Sequence, residues 1–276
     1  MKDYLNICSY LSKYLLIKIK THRSNSLNLK TVCGTISFLI FTISNIQPQS
    51  ARDIIDKSYE LVYAKSSYSE ISMTIVKPNW LRTISMKAWA LEPDYALIYI
   101  TEPARDKGTV TLKREKEVWS WIPAAQKIIK IPPSMMLQSW MGSDFTNDDL
   151  VRSSSVVDDY DHKILSKEKI DGYESYIIES IPKPEAGVVW SKIITWITEK
   201  GYMQLKSEFY DEDGFLIKTF RGSEIKSLGG RIFPTKWEMI PNDKPGNKTI
   251  IDYLDIKFNY KLNESFFSQQ NMKRIR

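Results

Sequence analysis

The chain has 276 residues, 42% of them hydrophobic, and a formal net charge of +6, so it is long and apolar enough to bury a core. The first 51 residues hold six basic side chains against one acidic side chain, so five of the six net charges lie there. Because the remainder is close to neutral, it lacks the basic surface that binding to nucleic-acid phosphates requires. A nucleic-acid partner is therefore not expected.

The opening segment has the order of a secretory signal. Basic residues precede the apolar block TVCGTISFLIFTISNIQ, and Pro48, Ser50 and Ala51 follow it. We expect residues 1–51 to be a signal peptide or membrane-targeting leader that directs export to the periplasm, with an uncleaved anchor as the alternative. Both cysteines, Cys8 and Cys33, lie in this leader, so residues 52–276 have no thiol for a disulfide or a metal site.

Residues 52–276 are predicted to form a single domain that begins with a helix and continues in strands. Apolar residues at helical spacing predict an amphipathic helix from Arg52 to Lys65. After it, segments rich in β-branched and aromatic residues alternate with period two, which predicts strands. These segments are YSEISMTIV, WLRTISMKAWAL, DYALIYI, GTVTLKR, EVWSWIP, KIIKI, HKILSKEKI, YESYIIESI, VWSKIITWITE, YMQLKSEFYD, FLIKTFRGSEIK, IFPTKWEMI and IIDYLDIKFNYKL.

Turn sequences such as DEDG and NDKPGNK between these segments indicate hairpins, so consecutive strands should pair antiparallel. Helices interrupt the pattern in two further places. SMMLQSWM should form a short helix, with Asn147, Asp148 and Asp149 beginning another, and the second place is SFFSQQNMKR near the C-terminus. The predicted fold is mainly β: a curved antiparallel sheet forming an unclosed half-barrel, with helices on its concave side.

Catalytic and metal-binding patterns are weak. Ser143 stands beside Asp144 but lacks the G-x-S-x-G elbow, and His162 is the only imidazole after the leader. The group Asp158, Asp159, Asp161 and His162 does not match a calcium loop or a zinc set, so we interpret it as a solvated loop. We expect neither a metal nor a cofactor.

Large apolar residues are the more prominent signal. A curved sheet with few helices leaves part of its concave face uncovered, and flexible methionines suit a surface that adapts to varied apolar partners. Met135, Met136, Trp140 and Met141 are candidates for a lid over a cavity, although a role in an ordinary core is an equally open alternative. Further candidates for the cavity wall are Trp119, Trp121, Trp196, Trp237 and Met239.

The segment from Trp119 to Arg152, WSWIPAAQKIIKIPPSMMLQSWMGSDFTNDDLVR, resembles a family of outer-membrane lipoprotein-sorting proteins. These are the LolA-like proteins, in particular the branch associated with RND-type exporters. The motif GTVTL near Gly108 and the closing FFSQQNMKR agree with the resemblance. Its most specific residues are Gly142, Ser143, Asp144, Phe145, Asp149 and Leu150, and Arg82 matches a basic position at the cavity mouth.

The resemblance implies an unclosed barrel with helices as a lid, which carries acyl chains of lipoproteins or lipids through the periplasm and is not an enzyme. The implied partners are those acyl chains and an inner-membrane exporter of the RND or ABC type. Two alternatives stay open. One is a periplasmic sensor or adaptor of the same fold that binds a membrane protein, and the other is an envelope hydrolase built around Ser143 and Asp144.

Overall fold

The computed structural model describes residues 49–152 and 155–276. The predicted leader lies outside the described residues except for Gln49 to Ala51, and it stays a prediction. Each of the strand segments predicted from the sequence forms a strand. Their bounds are β1 Ser66–Lys77, β2 Trp80–Leu91, β3 Tyr95–Glu102, β4 Val110–Arg114, β5 Glu117–Ile122, β6 Lys127–Lys130, β7 Tyr160–Ile170, β8 Tyr173–Pro182, β9 Lys192–Thr198, β10 Gln204–Tyr210, β11 Leu216–Leu228, β12 Arg231–Pro241 and β13 Lys248–Phe258.

These strands form one 13-stranded antiparallel sheet in the order β6-β5-β4-β3-β2-β1-β13-β12-β11-β10-β9-β8-β7. Hairpins build two runs of neighbouring strands, and the pairing of β1 with β13 joins the runs. Strands β6 and β7 are the two edges, so the sheet is not closed, which confirms the predicted half-barrel. Because β6 and β7 are adjacent in sequence but lie at opposite edges, the segment between them, residues 131–159, has to cross from one edge to the other.

Short helices accompany the sheet. They are α1 Ala51–Val62, α2 Asn147–Arg152, α3 Ser155–Asp158 and α4 Gln269–Met272, with 3₁₀ turns at Pro123–Ala125, Pro133–Met135 and Glu264–Phe266. A capping box begins α1, because the Asp53 amide donates to Ser50 Oγ at 3.1 Å and the Ser50 amide donates to Asp53 Oδ2 at 3.3 Å. The helix ends at Val62, earlier than predicted, because Tyr63 adopts an extended conformation and leads into β1.

The expected helix in SMMLQSWM is wrong. Only Pro133–Met135 makes a 3₁₀ turn, and the rest forms a tight loop in which Ser139 bridges to Thr146. Met141 and Gly142 have φ angles of 53° and 77°, a left-handed conformation that ends any helix at this point. The helix expected at Asn147 is confirmed as α2.

The two faces of the sheet have different cover. The inner face, which we define by Ile71, Met86 and Trp237, lies under α1 and the 131–159 segment. The outer face of β1–β5 is covered by the C-terminal segment, residues 259–276, whose Phe267 and Met272 are fully buried against this face. The helices were predicted on the concave side, but the C-terminal helix lies on the outer face. The outer side chains of β2–β5 are themselves large and apolar, and the C-terminal segment buries them.

Candidate functional site

A cavity of about 400 Å³ opens on the inner face. Side chains of β1–β3, β9–β13 and the helices α1–α3 line it, and most of them are apolar. Among the wall residues are Ile71, Ile98, Ile193, Phe220, Trp237, Met239 and Ile251. The sheet forms the walls, while α1 and the 131–159 segment cross above.

Small side chains explain why this part of the inner face is hollow. Ser67 pairs with Ala90 across β1 and β2, Ser69 pairs with Ala88, and Ala90 pairs with Ala96 on β3. All five side chains line the cavity. Because residues paired across an antiparallel sheet share a face, these short side chains leave a gap that no neighbour fills.

Further along the same strands the inner side chains are large. Met73, Ile75, Ile84, Met86 and Ile100 form a buried cluster closed by Trp140. The indole Nε1 of Trp140 donates to Thr111 Oγ1 at 3.1 Å, so this large ring is fixed between the filled region and the hollow region. The sequence of β1–β3 thus encodes one filled half and one empty half.

The motif residues Gly142, Ser143 and Asp144 build a turn instead of lining the cavity. The buried Ser143 hydroxyl donates to the Trp140 carbonyl at 2.7 Å and accepts from the Phe145 amide at 3.2 Å. Asp144 pairs with Lys77 Nζ at 2.5 Å and accepts from Thr249 Oγ1 at 2.8 Å. Their contacts therefore anchor the loop to the ends of β1 and β13.

Arg82 anchors the same turn and does not line the cavity, although it was predicted at the cavity mouth. It pairs with Ile75 in the sheet, so it lies on the inner face beneath the loop, and its guanidinium donates to the Met141 carbonyl. A Cβ at Gly142 would stand 3.3 Å from Arg82 Nη2. The small residue and its left-handed φ thus fit the turn closely around the arginine.

The last part of the motif does reach the cavity, since Phe145, Asp149 and Leu150 line it. Asp149 on α2 accepts from Lys218 Nζ on β11 at 2.8 and 3.0 Å. Lys218 is 5% exposed, and its ammonium lies 4.7 Å from the ring centre of Trp190. This ion pair between a buried lysine and a partly buried aspartate holds α2 over the wall of the cavity.

One end of the cavity is polar. Glu92 follows the last residue of β2 and lines the cavity, and Tyr59 on α1 donates to its Oε2 at 2.8 Å. Burial raises the pKa of the Glu92 carboxyl, an effect that the Tyr59 hydrogen bond and nearby Lys113 oppose. Burial also lowers the pKa of the Lys113 amine and raises that of Tyr253 to about 12.

The structure separates the predicted wall residues into three groups. Trp140, Trp237 and Met239 line the cavity. Met135, Met136 and Met141 do not, and Met135 is 38% exposed. Trp119 and Trp121 lie on the outer face, against the C-terminal segment. Trp196 also lies on the outer face, where the Lys206 ammonium packs over its ring and its indole nitrogen donates a hydrogen bond to Glu168. These residues were predicted from side-chain size alone, without regard to the alternation of successive side chains between the two faces of the sheet.

Glu92, Tyr59 and the small residues of β1–β3 were not among the site residues predicted from the sequence. The small residues could have been found from the spacing Ser67-x-Ser69 and Ala88-x-Ala90, which has the same period of two as the large inner residues further along the same strands.

No group of three or more metal-ligating side chains occurs among residues 49–152 and 155–276. His162 bonds instead to Ser180 Oγ at 2.8 Å and the Val157 carbonyl at 3.3 Å. None of the described helices combines the length and hydropathy needed to span a membrane.

An open antiparallel sheet that carries an apolar cavity under short helices is the LolA-like fold, as the sequence resemblance predicted. A family model described as an uncharacterized protein matches residues 92–274, and the chain belongs to that family. No curated protein has significant similarity to the sequence.

Solved structures give the same fold. A DUF1329 family protein from Desulfovibrio piger is 25% identical with a TM-score of 0.73, covering 80% of this chain and 97% of its own. An outer membrane lipoprotein-sorting protein domain from Vibrio parahaemolyticus is 24% identical with a TM-score of 0.71, covering 81% and 98%. A LolA superfamily protein from Nitrosomonas europaea is 23% identical with a TM-score of 0.69, covering 81% and 99%.

Proposed function

We propose that this protein is a periplasmic carrier that holds acyl chains of lipoproteins or lipids in the inner-face cavity. The observation that carries the proposal is the hollow itself: a cavity of about 400 Å³ with mostly apolar walls, to which the small residues of β1–β3 contribute empty space. Burial of each methylene contributes about 0.8 kcal/mol, so a chain of ordinary length is bound without specific contacts.

The contacts of the 131–159 segment support its role as the cover of this carrier. The turn at Gly142 is anchored through Arg82 and Asp144, and the first residue of α2, Asn147, donates to the Met135 and Gln138 carbonyls of the same loop. The Asp149 pair with Lys218 holds α2 to β11, so cargo entry needs this pair to open. An inner-membrane exporter of the RND or ABC type would deliver or receive the cargo, a partner that rests on the family resemblance alone.

The proposal requires no catalytic residue. Ser143, the nucleophile of the hydrolase alternative, directs its hydroxyl to the backbone of its own turn, and His162 is bonded to Ser180 and Val157. The sensor or adaptor alternative shares the fold and becomes an outcome of the test.

The test is organic extraction of the protein purified from the periplasm, followed by mass spectrometry of the extract and reloading of the delipidated protein with a fluorescent fatty acid. Co-purifying acyl lipids, saturable reloading and transfer of the probe between vesicles support a carrier. A protein that takes up no acyl probe but binds a membrane protein stably would establish the adaptor and overturn the carrier.

A further inference from the structure

The carboxylate of Glu92 is an unusual group for the wall of an apolar cavity. By strand alternation it shares the inner face with Ala88 and Ala90, next to the hollow. A carboxylate offers about four acceptor sites. Tyr59 fills one of them, and among the described residues no lysine or arginine nitrogen lies within 4.0 Å of Glu92. Carboxylates shielded from water are ordinarily paired, so this half-buried one has spare acceptor capacity beside the cavity.

The groups around Glu92 hold it in place without neutralising it directly. Lys113, the nearest cation by its electrostatic effect, donates its hydrogen bond to the Pro93 carbonyl at 2.8 Å. The Tyr59 ring stacks on Tyr63 with centres 4.6 Å apart, which orients the Tyr59 hydroxyl. The end of the cavity is therefore a preorganised acceptor site beside an apolar space.

We propose that Glu92 and Tyr59 form a headgroup site that binds amphiphiles through a hydrogen-bond-donating head, a primary amine or a hydroxyl, while the chain occupies the space beside Ala90. This inference rests on the proposed carrier function. A head that donates to Glu92 replaces part of the water that partial burial has removed from the carboxylate. A carboxylate head has no proton to donate and meets like charge.

The experiment compares four amphiphiles of matched chain: dodecylamine, dodecanol, methyl laurate and laurate. Each displaces a fluorescent fatty probe from the wild-type protein, from Glu92→Gln and from Tyr59→Phe. We expect the amine and the alcohol to bind more tightly than the ester and laurate. In Glu92→Gln the advantage of the amine over the ester should fall roughly tenfold, since the amide loses the charge-assisted bond.

One control variant and a second site variant distinguish the site from general effects. Glu60→Gln changes an exposed carboxylate on the same helix as Tyr59, outside the cavity, and should leave the ranking unchanged. Tyr59→Phe keeps the stacked ring and removes only the hydroxyl, so it tests the site even if Glu92→Gln folds poorly.

The outcomes separate the two proposals. Equal affinities for all four amphiphiles, a preference for laurate, or an unchanged ranking in both site variants would overturn the headgroup site and leave the carrier intact. If none of the four amphiphiles binds the protein and none displaces the probe, both the headgroup site and the carrier function are wrong.

Discussion

A larger side chain at a small cavity-lining residue should raise the free energy of unfolding and weaken the binding of acyl chains. Ala90 lies opposite Ser67 and Ala96, the smallest stretch of the inner face. Ala90→Leu adds about three methylene equivalents, which enter existing space instead of an already packed core. Cavity-filling substitutions commonly add about 1 kcal/mol to the free energy of unfolding.

The same atoms exclude the cargo. At about 0.8 kcal/mol per methylene, displacement of three carbons of a bound chain costs about 2.4 kcal/mol. Since 1.4 kcal/mol corresponds to a factor of ten, the affinity should fall roughly fiftyfold.

Urea unfolding followed by circular dichroism measures the first effect, and titration with a fluorescent fatty acid measures the second. Ala125→Leu is the matched control, because Ala125 is exposed in the turn after β5 and should change neither quantity. A more stable Ala90→Leu protein with undiminished acyl affinity would refute the reasoning, because the hollow beside Ala90 would then not hold the chain.

Three further changes test other parts of the structure. Lys218→Met leaves Asp149 without its cation, so the free energy of unfolding should fall by about 3 kcal/mol in urea denaturation, and Lys218→Met combined with Asp149→Leu should recover most of that loss. Phe267→Ala should cost about 3–5 kcal/mol of stability but leave acyl affinity unchanged, because the ring packs on the outer face; a large drop in affinity would contradict this placement. Burial lowers the pKa of His162, so the folded state binds fewer protons than the unfolded state and stability should decline as the pH falls below about 6.5; a pH series of denaturation midpoints should show a shallower decline in His162→Gln.

The strands could be predicted from the sequence because each shows the alternation of apolar and polar residues that is typical of a half-buried sheet. The hairpin turns indicated which strands are neighbours in the sheet. The unclosed sheet also followed from the pattern and the family resemblance. The loop at Met141 was not predictable from helix propensity, since two consecutive left-handed residues and the anchors at Arg82 and Asp144 override it.

Only part of the cavity wall could be predicted from the sequence. Trp237 and Met239 line it, but Trp119 and Trp121 were chosen by size and lie on the opposite face. The hollow face can be identified only once it is known that the C-terminal segment covers the opposite face. That packing is a tertiary contact, and the local sequence pattern of the strands does not predict it. The hollow arises from small side chains such as Ala90, which a search for large apolar residues passes over.

Photo-crosslinking with a fatty acid that carries a diazirine in its chain tests the central claim most directly. Peptide mass spectrometry of the labelled protein should find adducts on inner-face residues such as Ile71, Ile98 and Trp237, and unlabelled fatty acid should compete them away. Adducts confined to the outer face or the C-terminal segment, or no competable labelling at saturating probe, would contradict an acyl-binding cavity on the inner face.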